Sequence, residues 1–456
     1  MQSFFQNIVI LILLSSTAFS QFTQDEQLHE YIRTGLENNL NLKQREADWL
    51  QASLRLGQAK GMFYPDLSLN ARYTVADGGR IISFPVGDLL NPVYSTLNML
   101  TSSSNFPEIE NEQFPFFRPK EHETKLRLVQ PLLNTDIFYN KQIRQNDLDI
   151  RFADMASYRR SLVFEIKQAY YNYLKAVELL NLLENTRPVL EENLRVNKSQ
   201  YGNDKVTADV LMRSESEILK LNESIASANA SVQVSIAYFN FLLNRDLEEP
   251  ILSSLPELPL VPADVEEYTQ RALESREEIT RLEHYSELAG NNLGMNKASK
   301  FPDVFAVVDY GYQGEDYRFT SDDDFVMASI VLKWDLFKGF QERSKISEAR
   351  IMEEKVDLQL QEAENLIRLE VLNTWYELIS AQKKLDASRA YAVTASEIFR
   401  MIQKKYGQDQ TSLLEFLDAR NNMTMAGQEA IINTWDLMIR WAAFERAIGM
   451  YDIKKN

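Results

Sequence analysis

The second half of this chain repeats the first, so the fold must be built from two copies of one unit. Tyr64-Pro65-Asp66 recurs as Phe301-Pro302-Asp303, 237 positions on. At the same offset Leu36-Glu37 meets Leu273-Glu274, and Tyr73 meets Tyr310. Further along the offset becomes 205: Ala169-Tyr170-Tyr171 meets Thr374-Trp375-Tyr376, Lys175-Ala176 meets Ser380-Ala381, Tyr201-Gly202 meets Tyr406-Gly407, and Ala237 meets Ala442. A single length difference accounts for the change. Between its matched segments the first half carries about 44 residues, Asp77 to Lys120, and the second about 11, Gly314 to Asp324. The halves meet at Pro250 to Pro262, where Leu255-Pro256-Glu257-Leu258-Pro259 excludes helix and reads as an extended linker.

Each half reads as helix, strand, loop, strand, long helix, turn, helix. Gln24 to Lys60 predicts one helix ending near Gly61. Leu67, Leu69, Ala71, Tyr73 and Val75 then alternate with Ser68, Asn70, Arg72 and Thr74, which is the period of a strand. Strands are expected at about 65–76, 123–131, 303–313 and 325–337. In the last two, Val304, Ala306, Val308, Tyr310 and Tyr312 share one face, as do Val326, Ala328, Ile330, Leu332 and Trp334. Strands of ~10 residues suit a tilted membrane crossing. Tyr64, Tyr73, Tyr310, Tyr312 and Trp334 near their ends suit an interfacial aromatic girdle. The same alternation also fits a strand pair in a soluble sheet. Four strands cannot close a membrane barrel, whose open edges lipid does not tolerate, so a membrane reading requires several copies.

Long helices are expected at about 134–244 and 338–449, each folded back at a polar Tyr-Gly turn: Tyr201-Gly202-Asn203-Asp204 and Tyr406-Gly407-Gln408-Asp409. The outgoing arms, Asn134 to Val196 and Lys338 to Lys405, contain only Pro188 and Gly339 as breakers. At ~1.5 Å per residue, ~60 residues span ~90 Å. Leu162, Ile166, Tyr170, Tyr173, Val177, Leu180 and Leu183 step by three and four, a packing stripe too long for a compact globule.

Composition narrows the function. A net charge of −17 leaves nothing to neutralise a phosphate backbone and argues against nucleic acid. The absence of cysteine excludes disulfides, thiolate metal sites and cysteine nucleophiles. His29, His122 and His284 lie far apart in sequence and form no visible cluster. Residues 1–20 read as a secretory signal: Ile8 to Leu14 is its apolar core, and Ala18-Phe19-Ser20 supplies the small residues before cleavage at Gln21, although Met1 to Asn7 carries no Lys or Arg. Export without a membrane helix leaves periplasm, outer membrane or exterior.

This arrangement resembles the TolC-like outer-membrane efflux protein family over essentially the whole mature chain. Three features carry the resemblance. One is the duplicated layout. Another is the strand-to-helix junction Leu128-Val129-Gln130-Pro131-Leu132-Leu133 with its partner Leu332-Lys333-Trp334-Asp335-Leu336-Phe337-Lys338-Gly339. The third is the tip, Lys405-Tyr406-Gly407-Gln408-Asp409-Gln410-Thr411-Ser412-Leu413-Leu414-Glu415-Phe416-Leu417-Asp418-Ala419. The resemblance implies a mainly α fold with a membrane β-barrel portion: a homotrimer whose 12-stranded barrel continues into a 12-helix periplasmic tube. It implies residues 21–249 and 263–450 as two efflux repeats, 250–262 as linker and 451–456 as a tail. It further implies an outer-membrane exit duct, partnered by a periplasmic adaptor and an inner-membrane transporter that chooses the cargo. Three departures stand out. Asp204 and Asp409 occupy positions where the family often has glycine. Val210 and Arg213 stand where the second half has Glu415 and Asp418. Asp335 replaces the proline expected at the second junction.

Glu415 and Asp418, three apart, share a helix face. The resemblance places them at a periplasmic gate, as carboxylate rings that would attract cations. Two carboxylates solvating a helix start is the plain alternative. Tyr406, Thr411 and Arg420 are candidates for hydrogen bonds that constrain the tip. Tyr201, Gly202, Asp204, Tyr406, Gly407 and Asp409 are candidate adaptor-docking residues. Asp77 to Lys120 is expected as an extracellular loop, and its Ile81, Ile82, Phe84, Phe106, Phe114, Phe116 and Phe117 suggest that it packs on something. No catalytic set, metal set or cofactor motif is read. The competing reading is a soluble periplasmic coiled-coil scaffold; an enzyme lacks a legible pocket.

Overall fold

The computed structural model describes residues 26–253 and 256–450. The expected signal segment, its cleavage point and the 451–456 tail lie outside the described residues. The elements in chain order are α1 (Glu26–Asn38), α2 (Leu40–Gly61), β1 (Asp66–Val75), β2 (Ile81–Phe84), α3 (Val86–Thr101), β3 (Glu112–Pro115), β4 (Lys120–Leu133), α4 (Thr135–Gly202), α5 (Ala208–Leu243), α6 (Glu266–Ser275), α7 (Glu277–Ala298), β5 (Asp303–Gly314), β6 (Asp324–Lys333), α8 (Gln341–Tyr406) and α9 (Leu413–Ala447). The repeat is literal. α2 and α7 start and stop 237 positions apart, β1 and β5 begin at that offset, and α5 and α9 begin 205 apart.

Among the described residues, one compact unit takes in Glu26–Ser53, Asn146–Ala289 and Met352–Met450; the other takes in Leu54–Gln145 and Gly290–Ile351. Each therefore draws on both repeats. The first unit is helical. The stripe foreseen on α4 is its core: Leu162, Ile166 and Tyr170 are fully buried, packed with Tyr31, Phe239, Leu243 and Trp435. A second cluster joins α8 and α9 through Val371, Leu378, Leu385, Leu437 and Phe444. A third, near the turns, joins α4, α5, α8 and α9 through Leu190, Leu221, Phe399 and Phe416.

The second unit holds an antiparallel four-stranded sheet in the order β1-β4-β5-β6, with β1 and β6 at its free edges. Its register assembles the alternating faces. Leu67, Leu69 and Tyr73 lie opposite Leu128, Leu126 and His122. Leu128 and Leu126 continue onto Val308 and Tyr310, then Ala328 and Val326; His122 meets Gly314, and Gln130 continues onto Ala306 and Ile330. The other face pairs Ser68 with Arg127, Asn70 with Lys125 and Arg72 with Glu123. Asp309 sits on that charged face, fully covered, taking both ends of the Arg127 guanidinium at 2.8 and 2.7 Å with Lys125 at 3.6 Å. A single chain thus makes an open sheet whose ion pairs lie on one face, beside Val129, Phe305 and Val307, while the opposite face is mostly apolar.

The structure departs from, or adds to, the sequence reading at five places. The first helix breaks at Asn39, whose carboxamide oxygen caps α2 by accepting from the backbone N–H groups of Asn41 and Leu42, both at 3.0 Å. The last strand stops at Lys333 and not 337, because Gly339 and Phe340 take left-handed conformations and turn the chain before α8. The segment 77–120 contains a β2–β3 ribbon and the 16-residue helix α3. His122 is a strand residue, buried against Tyr317 and Phe319, with ring centroids 4.6 and 6.1 Å away. Pro188 leaves α4 unbroken over 68 residues. No described helix is long and apolar enough to cross a membrane.

Candidate gate at the hairpin turns

The two turns are built alike because they solve one backbone problem. A helix ends with unpaired carbonyls. Here the chain closes them with a left-handed residue: Asp204 at φ 57° and Asp409 at φ 55°. Beyond it Lys205 N–H donates to Gln200 O, and Gln410 N–H to Lys405 O, each at 2.9 Å. This six-to-one bond is the Schellman closure, in which glycine usually takes the left-handed place. Aspartate tolerates that region better than most residues, which explains how the departure from the family pattern is accommodated. Gly202 and Gly407 are not left-handed.

The return helices start at equivalent N-caps, Thr207 and Ser412. Ser412 Oγ accepts from Glu415 N–H at 3.2 Å. Ser412-Leu413-Leu414-Glu415 has the sequence of a capping box, of which the bond from the Glu415 main chain to Ser412 is formed. Glu415 and Asp418 are both exposed. They flank a cleft of about 260 Å³ whose apolar wall is Tyr391, Ala395, Ile398 and Ile402. Asp418 accepts from Asn422 at 3.2 Å.

The other three candidates divide. Tyr406 hydroxyl donates to Asn197 at 2.9 Å, and its ring stacks on Phe416 with centroids 4.7 Å apart. Asn197 in turn donates to Ser214 at 2.8 Å and Asn193 at 3.2 Å. Tyr406 thereby ties α8 to α4 and α5. Arg420 ties α9 to α5 by an ion pair with Glu217. Burial lowers the Arg420 pKa from its ordinary value, with Glu217 pulling against it. Burial pushes the Glu217 carboxyl up, but Lys220 and Arg420 outweigh it and hold the group below the usual carboxylate range. Thr411 does not constrain the tip: its hydroxyl is buried without a hydrogen-bond partner among the described residues. Of the candidate docking residues, Tyr201, Gly202, Asp204, Gly407 and Asp409 are exposed, while Tyr406 is half-buried by the contacts just described.

Sequence reading missed Asn193, Asn197, Ser214 and Glu217. A signal was present. Leu183, Thr186, Leu190, Asn193 and Asn197 continue the α4 stripe with the same three–four step, and polar residues at seam positions fix register between helices.

Residues 268–450 match the outer membrane efflux protein family. The chain is similar to the alkaline protease secretion protein AprF of Pseudomonas aeruginosa, 21% identical over 72% of this chain and 69% of that one. It is 19% identical to the outer membrane protein TolC of Escherichia coli, over 96% of this chain and 85% of that one. The fold superimposes on the Campylobacter jejuni CmeC outer membrane channel with a TM-score of 0.78 at 15% identity, covering 94% of this chain and 87% of that one. The chain thus carries an outer membrane efflux protein domain at residues 268–450, and the fold of these channels extends over nearly all its length.

Proposed function

We propose that this protein is the outer-membrane exit duct of a tripartite efflux or one-step secretion system. In this role it passively conducts substrates delivered by an inner-membrane transporter through a periplasmic adaptor. The observation that carries the reading is the sheet. Its exposed apolar face suits lipid, its opposite face carries the ion pairs, and its two free edges cannot remain open in a bilayer. Three copies joined edge to edge supply twelve strands. A soluble scaffold would leave that apolar face in water. We place the mature start at Gln21, the two repeats at 21–249 and 263–450, and the protein in the outer membrane with its helical hairpins in the periplasm. The exposed turns at Tyr201, Gly202, Asp204, Gly407 and Asp409 are the surface offered to the adaptor, with Tyr406 holding the second turn in place. We assign no catalytic role.

Glu415 and Asp418 are the charged mouth of this duct, with Tyr406 and Arg420 as ties that hold the second hairpin to the first. Three copies set six carboxylates around one opening, a ring potential that favours cations. The test is single-channel recording of Glu415→Ala with Asp418→Ala. Cation selectivity and block by divalent ions from the turn side should both fall, while trimer yield and membrane insertion stay normal. Unchanged selectivity and block in normally assembled trimers would sink the assignment of the gate. A chain that washes off membranes would sink the duct itself.

A further inference from the structure

Helix α3 is built inside out. Its polar face holds its own chain: Asn91 clamps Ile109 by donating to its carbonyl and accepting from its N–H, both at 2.9 Å. Asn98 clamps Phe106 in the same way, at 2.7 and 3.1 Å. Asp88 and Asn111 close the other end, Asn111 accepting from the Asp88 N–H and donating to its carboxylate, both at 3.0 Å. The opposite face carries Leu89, Val93, Leu97 and Leu100 at steps of four, four and three. Leu89, Val93 and Leu100 are 65%, 51% and 75% exposed. A surface helix ordinarily buries its apolar stripe and shows its polar one. This one does the reverse, and the stepping is that of a helix–helix seam.

The surroundings are also apolar. Phe84, Phe106, Phe114, Phe116 and Phe117 of the same insertion are 36–57% exposed. Five such rings present on the order of 500 Å², taking ~200 Å² for each side chain. With the α3 stripe this approaches the ~800 Å² per partner of a stable interface. The insertion is continuous with a free sheet edge. Ala76 N–H donates to Pro119 O at 3.0 Å and Phe116 N–H to Arg80 O at 2.8 Å, so β2 and β3 prolong the β1–β4 hairpin, and β1 is an edge strand.

We propose that the α3 stripe packs against the same insertion of a neighbouring copy of this chain, joining the copies beyond the end of the sheet. The proposal rests on the duct reading, which brings another copy to the β1 edge. Only the first repeat carries the insertion, so each copy supplies one, and a closed ring of copies brings these stripes together around the exit.

The chain has no native cysteine, so single cysteines can be crosslinked without background. Val93→Cys and Leu100→Cys are each oxidised in isolated outer membranes. Both should give a covalent dimer on non-reducing gels, leaving about a third of a trimeric population as monomer because thiols pair two by two. Ser95→Cys, on the clamped side, should give none. Leu89→Glu with Val93→Glu should abolish the Leu100→Cys crosslink. The proposal is overturned if trimers form normally but neither cysteine crosslinks. That holds whether an impermeant maleimide labels them freely or an environment-sensitive probe at position 100 reports lipid. Failure to assemble any trimer in the membrane, seen in the unmutated chain, would instead overturn the duct reading beneath it.

Discussion

The guanidinium of Arg276 donates to the main-chain carbonyl of Ala447 at 3.0 Å, and the side-chain amide of Asn39 does the same to Leu242 at 2.9 Å. The donors are 237 positions apart and the acceptors 205, the two offsets of the repeat. Each donor stands at a helix break, and each acceptor is at or next to the last residue of a return helix, where carbonyls lack helical partners. One half solves the problem with a neutral amide. The other uses a charge and must then neutralise it. Glu278 and Glu370 both meet Arg276 at 2.9 Å, and Glu370 also meets Arg446 at 2.6 Å.

Removing Arg276 therefore removes more than a cap. Arg276 is only 6% exposed, but Glu278 and Glu370 are 29% and 30% exposed, so water reaches the charges left behind and the loss should fall below the ~3–5 kcal/mol of a fully buried pair. Arg276→Ala should accelerate amide exchange in α6 and at the end of α9 and leave the sheet protected as before. Equal exchange in both proteins would mean that the bond to Ala447 contributes nothing.

The same cluster sets a pH dependence. Burial pushes Glu278 and Glu370 up, but Arg276 for the first, and Arg276 with Arg446 for the second, hold both below the usual carboxylate value of 4.5. A depressed folded-state value stabilises the fold above the unfolded-state value, and that stability is lost as pH falls through the folded-state one. Protection of α6 and α7 should be flat from neutral pH to about 5 and decline below 4.5. Arg276→Ala should flatten the decline. A decline beginning near neutrality would point to other groups.

How much of this was legible follows from the kind of signal each feature leaves. Periodic patterns were readable: the stripe Leu162–Ile166–Tyr170 is the core, and the Leu67–Tyr73 alternation is one face of the sheet. Features that depend on a partner distant in sequence were not. Asn39 carries a local capping signal toward Asn41 and Leu42, whereas Arg276 is no capping residue; both breaks are also held by Leu242 and Ala447, more than 170 residues away. Helix α3 was hidden because Pro92 and its outward leucines resemble neither loop nor buried helix. At the proposed gate the carboxylates were readable from their spacing, whereas Glu217 became recognisable only beside Arg420.

The turns offer a backbone test. Asp409 pays the cost of a Cβ in the left-handed region, about 1 kcal/mol or more for a non-glycine residue. Asp409→Gly should stabilise the second hairpin by roughly that amount, less the added chain entropy of glycine when unfolded. Gly407→Ala should be tolerated, because a Cβ there meets only Gln403 O and Lys404 O, at 3.6 and 3.7 Å. Slower exchange at the end of α8 and the start of α9 in Asp409→Gly is the expected reading. Faster exchange would show that the Asp409 carboxylate contributes contacts worth more than the strain.

Asp309 tests which face of the sheet lines a pore. The carboxylate is held by Nε and one terminal nitrogen of Arg127 and lies 3.6 Å from Lys125, which also meets Glu123 at 2.7 Å. On that face Arg72, Lys125, Arg127 and Lys333 stand with Asp66, Glu121, Glu123, Asp303 and Asp309. Asp309→Asn keeps the shape and some of the hydrogen bonding but shifts the charge of that face by +1 per copy. Arg127 is 39% exposed, so solvent screens the loss and the sheet should still form. In a barrel of three copies the ionic face must point inward, because lipid does not accept it. Three added positive charges in a channel then favour anions. Reversal potentials in a salt gradient should move toward the anion value in Asp309→Asn, and Arg127→Gln should move them the opposite way. If both variants assemble into normal trimers with the selectivity of the parent, the charged face does not line the conducting path.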